Sequence, residues 1–595
     1  MQFPSDPLVQ TPPVGRMAIG RASGSSLGSL VPRLLTALTL AASALGLLSL
    51  PASSYDDSLM LLGARLVAAG KIPYIDFYTH YGPLGSTILA FLVRLCGNPG
   101  LALRLGEVLL LAATAVLWHV LFRSLQAESP LGEYPVPVLV VAVSAVALQP
   151  AFFGFAFATG ALVLFLLSLT ASQGLSATLF NALAGAAFAV GVLIRPAFGA
   201  YGVGVLLLLE IAGRPLFGSG SRSRLIALVA FFGTAGVSVL VLWSLLYPEI
   251  SPTMAFDATI LVPARLMGAT GARYVHPEFL LAARTNGLGL ARAIGTGAAL
   301  VATTVAWTIA VSRGRTRVLA AVYVAAGGLL PLVLMVSRHP AGDVGLVSLT
   351  FFALACSVVF SARRTLQQSP RLWASALLGL VASAFGHYFW ARADRSHLLP
   401  MLTLAFMGAA LLLTSLRPVG RVAVLVLFVF TYVSAAPSLL LPAALLLKHG
   451  VATNLHPWRC TFVRADAVRA VTYADSQADP KSLFVAVGSS QAWSSLDPVV
   501  LFLISSRLPY TRWFQYEPGV QTSAVVENEM ARELEASGSR TAVVWRADKY
   551  RDWASPSLTT RSPFDDFFDR LYPITAANFG DYEVRVRAPG APAAR

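Results

Sequence analysis

Two adjacent carboxylates, Asp56 and Asp57, follow shortly after an apolar run at about residues 33–50. Acidic side chains beside a membrane are costly unless they are hydrated, paired or bound to a cation. Such a carboxylate can act as general base and take the proton from a hydroxyl or amine that attacks an activated sugar. The structural alternative is a helix N-cap, in which Ser54 or Asp56 begins a helix that ends at Gly70. The two roles are compatible.

A second group of polar side chains lies a short distance along the chain. Asp76 and His80 are four residues apart, and three tyrosines surround them, namely Tyr74, Tyr78 and Tyr81. This group could bind a phosphate or, with Asp57 as a further ligand, a divalent cation, the only cofactor that the sequence suggests. The alternative is an aromatic belt, in which the tyrosines lie at the level of the lipid headgroups.

A third cluster occurs late in the apolar part of the chain. It contains Arg392, Asp394, Arg395 and His397. Guanidinium groups bind phosphate bidentately, so this cluster would suit a lipid-linked phosphate. Alternatively, the arginines at a helix end extend their charged groups to the membrane surface.

Composition indicates that a membrane positions these residues. Of 595 residues, 56% are hydrophobic and 12% are charged, whereas soluble domains carry about 25% charged residues. The net charge of +15 could suggest nucleic acid, but the arginines concentrate in short links between apolar runs. We therefore expect no nucleic-acid partner. The three cysteines are far apart and predict neither a zinc site nor a disulfide framework.

Apolar runs of spanning length recur along residues 31–449 and predict about 13 transmembrane helices. We take the run near 33–50 as the first span, although a cleaved signal peptide is an alternative. The Gly-, Ser- and Pro-rich segment 1–30 is expected to be a disordered cytoplasmic tail. The later runs lie near 101–122, 136–150, 155–171, 176–194, 198–213, 225–247, 287–311, 317–336, 344–361, 372–390, 398–416 and 421–447.

The charges in the links test the direction of these spans. With the N-terminus inside, the arginine-rich links at 214–224, 313–317, 362–371 and 417–421 all fall inside. The first long link, 51–100, then lies outside, as does the segment after the last span. That segment, 450–595, has strand-like runs at Ser482–Val487, Thr541–Trp545 and Tyr582–Val586 and a helical run at Ser523–Ser537. It predicts a small extracytoplasmic α/β domain. The fold class is thus mainly α, a polytopic transmembrane helical bundle with this C-terminal domain.

Several of these motifs resemble the GT-C class of membrane glycosyltransferases, within it the bacterial relatives of protein O-mannosyltransferases and of the lipid A aminoarabinose transferase. The shared pattern is Asp56-Asp57, Gly70, Pro73-Tyr74-Ile75-Asp76-Phe77 and Gly82-Pro83-Leu84. Arg392–Pro400, Ser506-Arg507-Leu508-Pro509 and Phe579-Gly580-Asp581-Tyr582 resemble later segments of bacterial members. The acidic pair is more commonly Asp-Glu in this class.

This resemblance implies a multi-pass enzyme of the bacterial inner (plasma) membrane. It would transfer a sugar from a polyprenyl-phosphate donor to a lipid, glycan or protein acceptor on the outer face, with a carboxylate of the first outer link as base. A transporter or flippase of a lipid-linked sugar is one alternative, although transporters usually place their ionisable residues near the bilayer midplane. A non-catalytic membrane scaffold is the other.

Overall fold

The computed structural model describes residues 56–125, 153–170, 175–196, 221–262, 455–458, 461–479, 481–488, 498–514, 523–546 and 562–588. The N-terminal tail, the first span, the later spans and the cluster around Arg392 lie outside these residues. The number of spans therefore stays a prediction.

The N-terminal part of the described chain is helical, as the apolar periodicity predicts. Its elements are α1 (Asp56–Ala68), α2 (Pro83–Cys96), α3 (Pro99–Leu125), α4 (Phe153–Thr170), α5 (Leu175–Ile194), α6 (Ser221–Leu246), α7 (Pro252–Phe256) and a π-helical turn (Asp257–Leu261). Three stretches, in α3, α5 and α6, are long and apolar enough to cross a membrane, and α2 and α4 contain shorter apolar stretches. The predicted mainly α architecture is confirmed for this part of the chain.

The apolar helices pack side by side through small residues. α5 lies between α4 and α6, while α3 packs against α2 and α4. At the crossing of α5 and α6, a Cβ added to Gly185 would lie 2.2 Å from the carbonyl oxygen of Phe231. The backbones thus approach as closely as small residues allow in membrane helix pairs. Many apolar side chains of α6 remain exposed, as expected of a helix that faces lipid.

The C-terminal part of the described chain combines strands and helices. Its elements are β1 (Leu455–Trp458), β2 (Thr461–Arg464), α8 (Ala465–Ser476), β3 (Val485–Gly488), α9 (Pro498–Ile504), α10 (Ala524–Ala536), β4 (Thr541–Trp545), α11 (Pro563–Leu571), β5 (Ile574–Phe579) and β6 (Tyr582–Val586). We refer to it as the C-terminal unit. The strands predicted at Thr541–Trp545 and Tyr582–Val586 are present with those bounds, and the predicted helix is α10.

A four-stranded sheet in the order β3-β4-β6-β5 organises this unit. β3 and β4 are parallel, and β6 pairs antiparallel with both β4 and β5. Every residue of β3 and β4 is buried, which explains why their sequences are continuous apolar runs rather than alternating ones. The two residues between β5 and β6 are Gly580 and Asp581, so the Phe579–Tyr582 motif forms a hairpin turn.

Arg65, in the last turn of α1, joins the membrane helices to the C-terminal unit. Its guanidinium donates hydrogen bonds at or just beyond the end of α9, where helix carbonyls lack intrahelical partners. The acceptors are the carbonyl oxygens of Phe502 (3.1 Å), Ser505 (2.5 Å), Ser506 (2.7 Å) and Arg507 (2.9 Å). The positive charge also matches the negative end of the α9 dipole. One side chain thus caps a helix that lies more than 400 residues away in sequence.

Replacing Arg65 with Met should loosen this contact while keeping most of the side-chain volume. Hydrogen bonds to a charged group contribute about 1.5–3 kcal/mol each, so amide exchange across 502–507 should rise at least tenfold. Hydrogen–deuterium exchange mass spectrometry of the purified protein measures this. Arg94→Met is the matched control, because within the described part of the chain Arg94 makes a single hydrogen bond, of 3.1 Å, to the Ala68 carbonyl. Equal exchange in the two variants would contradict the assigned role of Arg65.

Candidate functional site

Asp57, at the start of α1, forms a buried ion cluster with two residues of α3. Its Oδ2 lies 3.5 Å from Nη2 of Arg104, and Nη1 of Arg104 lies 2.7 and 2.9 Å from the two carboxylate oxygens of Glu107. The exposed fractions are 2% for Asp57, 1% for Arg104 and 0% for Glu107. We call these three residues the ion cluster.

The ion cluster places two carboxylates around one guanidinium. Moving a charge out of water costs several kcal/mol, which the partners offset only when the geometry is close. The planar guanidinium meets this need, because it presents several N–H groups in a fixed fork. The formal charge of the cluster is −1, so it favours an additional proton or cation.

The ion cluster lies close to the end of the membrane helix. Glu107 is eight residues into α3, which corresponds to about 12 Å along the helix axis. α3 begins shortly after α2, so the cluster lies about two helical turns from that end of the bundle. The charged group of Asp57 is therefore set in the helical bundle and not on an open water-facing surface.

The predicted phosphate or cation group, Asp76 and His80, belongs to a self-bonded loop. The amide of Ile72 donates to Oδ2 of Asp76 (2.7 Å), and Oδ1 of Asp76 lies 3.6 Å from the ammonium of Lys71. The amide of Asp76 in turn donates to the Ile72 carbonyl (2.8 Å). Asp76 thus closes its own loop, which we call the outer loop (71–82).

Tyr74 is held in the outer loop with a left-handed backbone, at φ +69°. This conformation is disfavoured for a residue with a side chain, so its surroundings must stabilise it. The Tyr74 amide donates to the Phe77 carbonyl (2.7 Å), and its phenol donates to the Tyr81 carbonyl (2.7 Å). Burial raises the pKa of the Tyr74 phenol well above its usual value, so the group stays a neutral donor.

The tyrosines of the outer loop form a core instead of a belt facing lipid. Tyr74 and Tyr78 are buried with Tyr247, which follows α6, and Tyr247 donates to the Thr87 hydroxyl (2.7 Å). On the other side, Tyr78 packs on Trp513 with ring centroids 5.1 Å apart. The interpretation as an aromatic belt is wrong for Tyr74 and Tyr78.

The end of α5 closes the outer loop from a third side. The amide of Gly82 donates to the Ile194 carbonyl (2.8 Å). The guanidinium of Arg195 lies 5.0 Å from the ring centroid of Tyr81, and the ring of His80 lies 4.1 Å from the same centroid. His80 and Arg195 therefore both contact the ring of Tyr81, which places the cation of Arg195 beside the predicted group of Asp76 and His80.

These contacts agree with the predicted direction of the spans. The C-terminal ends of α5 and α6 meet the outer loop, and the N-terminal end of α3 meets α1. Phe77 and Tyr78 contact the C-terminal unit, the former by stacking on Phe514 at 5.8 Å and the latter through its amide, which donates to the Arg512 carbonyl (3.0 Å). All these parts lie on one side of the helical bundle.

Other predicted site residues are not brought into this arrangement. The side chain of Asp56 and the whole of Arg392, Asp394, Arg395 and His397 lie outside the described residues. Across the part of the chain that the structure describes, no three acidic, histidine or cysteine groups are placed to hold a metal ion. Asp57, Asp76 and His80 thus do not form the three-ligand cation site considered from sequence.

Sequence reasoning missed Arg104. Its signal was available, because Arg104 and Glu107 are three residues apart inside an apolar run and therefore share one face of the helix. Ionisable residues within membrane helices usually face a partner. The contact with Asp57 could not be predicted, because it depends on how α1 packs against α3.

No protein-family model matches the chain, and no curated protein matches it by sequence. Among solved structures it is similar to the oligosaccharyltransferase of Archaeoglobus fulgidus in complex with zinc and sulfate, at 14% identity and a TM-score of 0.49, over 90% of this chain and 71% of that one. It is also similar to ArnT from Cupriavidus metallidurans bound to undecaprenyl phosphate, at 15% identity and a TM-score of 0.42, over 95% and 99% of the two chains. At this level of similarity neither structure assigns a role to any residue here.

Replacing Arg104 with Met should destabilise the protein strongly, because two buried carboxylates would lose their cation. Breaking a buried pair in this way costs about 3–5 kcal/mol. The melting temperature of the detergent-solubilised protein measures the effect, and Arg104→Lys should fall between the wild type and Arg104→Met. Arg469→Met is the matched control, since Arg469 is itself exposed and pairs with Asp466 at the same spacing of three residues. Similar melting of Arg104→Met and Arg469→Met would refute the energetic role of the ion cluster.

Gly82→Ala should separate the outer loop from α5. An added Cβ would lie 1.9 Å from the Leu193 carbonyl oxygen, so backbone must move. Overpacking of this kind costs about 1–3 kcal/mol, which a lower melting temperature would reveal. Gly236→Ala in α6 provides the control, because no described atom lies within 4 Å of its added Cβ. An unchanged melting temperature in Gly82→Ala would show that this contact is not tight.

Proposed function

We propose that this protein is a membrane glycosyltransferase that moves a sugar from a polyprenyl-phosphate donor to an acceptor on the outer face of the bacterial inner membrane. The observation that carries the proposal is the ion cluster, in which a carboxylate of the acidic pair is buried and fixed by a guanidinium from a membrane helix. The resemblance of Asp56-Asp57 and the outer-loop motif to GT-C enzymes points the same way.

In the proposed reaction, Asp56 or Asp57 takes the proton from an acceptor hydroxyl. The hydroxyl oxygen then bonds to the anomeric carbon of the donor sugar as the bond from that carbon to the phosphate oxygen breaks. Polyprenyl phosphate leaves with the electron pair, and the proton remains on the carboxylate until water removes it. Arg104 holds Asp57 as a carboxylate in one orientation, which is the kind of preorganisation that transfer needs.

Burial of Asp57 has two effects on this chemistry. Bulk water, the competing nucleophile, is kept from the reacting carbon. The acceptor must also displace part of the packing around α1 to reach the carboxylate. Arg392, Arg395 and His397 are proposed to bind the donor phosphate, with Asp394 orienting the arginines, and the outer loop is proposed to shape the sugar pocket.

A transporter or flippase of a lipid-linked sugar is the second candidate, and one observation favours it. Glu107 and Arg104 are ionisable residues inside a membrane helix, where such groups often mark a substrate or ion pathway. Against this, the ion cluster lies near one end of α3 and includes Asp57, a residue of the first long link (51–100). The arrangement fits surface chemistry better than passage through the bilayer.

Mass spectrometry of surface glycans in a deletion strain tests the function without knowledge of the acceptor. A transferase predicts the loss of one sugar from otherwise intact glycans, whereas a flippase predicts the loss of whole chains. Complementation with Asp56→Asn and with Asp57→Asn should then identify the base, whose removal lowers turnover by about 10²–10⁴. The substitution that spares the base should restore most of the sugar.

Glu249→Gln serves as the control in this complementation. Glu249 is an exposed carboxylate in the link after α6, and its variant should restore the wild-type glycan. Expression and melting temperature of each variant separate loss of chemistry from loss of folding. Full restoration by both Asp56→Asn and Asp57→Asn would refute the proposed carboxylate base. Intact glycans in the deletion strain would refute the proposed transferase function.

A further inference from the structure

Glu107 is the member of the ion cluster that the proposed reaction does not use. Its side chain is completely buried within α3. One carboxylate would be enough to neutralise Arg104, so the second leaves an excess negative charge in the helical bundle. Burying an excess charge costs free energy, which points to a contribution of Glu107 besides stability.

The guanidinium of Arg104 is not shared equally between the two carboxylates. Its Nη1 donates to Oε2 of Glu107 at 2.7 Å and to Oε1 at 2.9 Å, which are the distances of charge-assisted hydrogen bonds. Its Nη2 lies 3.5 Å from Oδ2 of Asp57, which is longer than such a bond. Arg104 is therefore bound chiefly to Glu107, on its own helix, and reaches Asp57 by the looser of these contacts.

The contact with Glu107 fixes the orientation of the guanidinium. Because both oxygens of Glu107 meet Nη1, the planar group cannot turn freely, and its Nη2 is directed to α1. Glu107 follows Arg104 by three residues, a spacing that puts both side chains on one face of α3. α3 thus presents an ion pair of its own, against which Asp57 docks.

This arrangement meets two opposing demands on a base. A cation close to a carboxylate holds it in place, but it also favours the charged form, so the carboxylate accepts a proton less readily. If Arg104 had no other partner, its whole charge would act on Asp57. Glu107 offsets that charge, so Asp57 can be oriented and still accept a proton.

We infer that Glu107 is a positioning residue of the transfer reaction, which acts through Arg104 to keep Asp57 both oriented and able to take the acceptor's proton. The inference rests on the proposed function and goes one step beyond it, because it selects Asp57 over Asp56 as the base. The proton passes from the acceptor hydroxyl to Asp57, and Glu107 keeps its charge throughout.

A purely structural role of Glu107 predicts a different result. In that role Glu107 would only anchor Arg104 between α1 and α3, and a variant would lose transfer together with its folded state. The inference predicts instead that transfer falls while the folded state is kept. Transfer and melting temperature must therefore be measured on the same variants.

Glu107→Gln in the full-length protein tests the inference. Gln has the same shape and still accepts a hydrogen bond from Arg104, which remains paired with Asp57, so no charge is left alone and the melting temperature should stay close to that of the wild type. The variant is expressed from an inducible promoter in the deletion strain. The rate at which the sugar returns to surface glycans, per amount of protein in the membrane, should fall about tenfold or more, because Arg104 then acts on Asp57 alone.

Two further variants complete the experiment. Glu527→Gln is the control, because it neutralises a carboxylate of α10 that is only 5% exposed, and it should transfer at the wild-type rate. Glu107→Asp keeps the charge but draws the carboxylate back by one methylene, so its rate should lie between those of the wild type and Glu107→Gln. If Glu107→Gln does not fold, slower transfer by Glu107→Asp at a wild-type melting temperature is the expected result.

The outcomes separate this inference from the proposed function. Wild-type transfer by folded Glu107→Gln, or by Glu107→Asp where only that variant folds, overturns the inference and leaves the transferase in place. Slow transfer with a matching loss of melting temperature overturns it in favour of the structural anchor. Full restoration by Asp57→Asn also overturns it, because Asp56 would then be the base. Intact glycans in the deletion strain refute the proposed function itself.

Discussion

A charge cannot remain in an apolar helical bundle without a partner, and this constraint organises the membrane part of the protein. Arg104 and Glu107 on α3 meet it together with Asp57 on α1. The pairing fixes how α1 lies against α3, although these helices share few other contacts. It also places the acidic pair of the outer link at the membrane end of α1. The candidate chemistry and the packing of the bundle thus depend on the same guanidinium.

Around this pairing, three independent parts of the chain meet the outer loop. The end of α5 accepts the Gly82 amide, the residue after α6 packs against the loop tyrosines, and the segment 512–514 stacks on Phe77 and Tyr78. Asp76 forms hydrogen bonds within the loop, and these three parts of the chain pack around it. Its motif therefore has a structural role, to hold one irregular segment in one shape between helices and the C-terminal unit.

Much of this could be predicted from the sequence, and the exceptions have physical reasons. Apolar runs predict α3–α6 to within a few residues, because length and hydropathy alone decide which segments suit a bilayer. The strands β4 and β6 are equally clear as β-rich runs. The role of Asp76 could not be predicted from its spacing to His80. A carboxylate that accepts a hydrogen bond from its own loop occurs at the same spacing as one that binds a phosphate or a cation. The role of Arg104 depends on Asp57 of another helix, and the position of Arg507 depends on Asp475 and Ser482. These contacts join segments that are distant in sequence, so the sequence pattern does not predict them.

The helix α1 has a further consequence for how the protein could be re-engineered. It carries Asp57 at one end and Arg65 at the other, so a single rigid rod of 13 residues belongs to both the bundle and the C-terminal unit. A chimera that exchanges the C-terminal unit for that of another protein would place foreign carbonyls around Arg65. The graft would have to include α1, or provide four carbonyl acceptors placed as those of Phe502, Ser505, Ser506 and Arg507 are around Arg65, before the new unit could dock on the membrane helices.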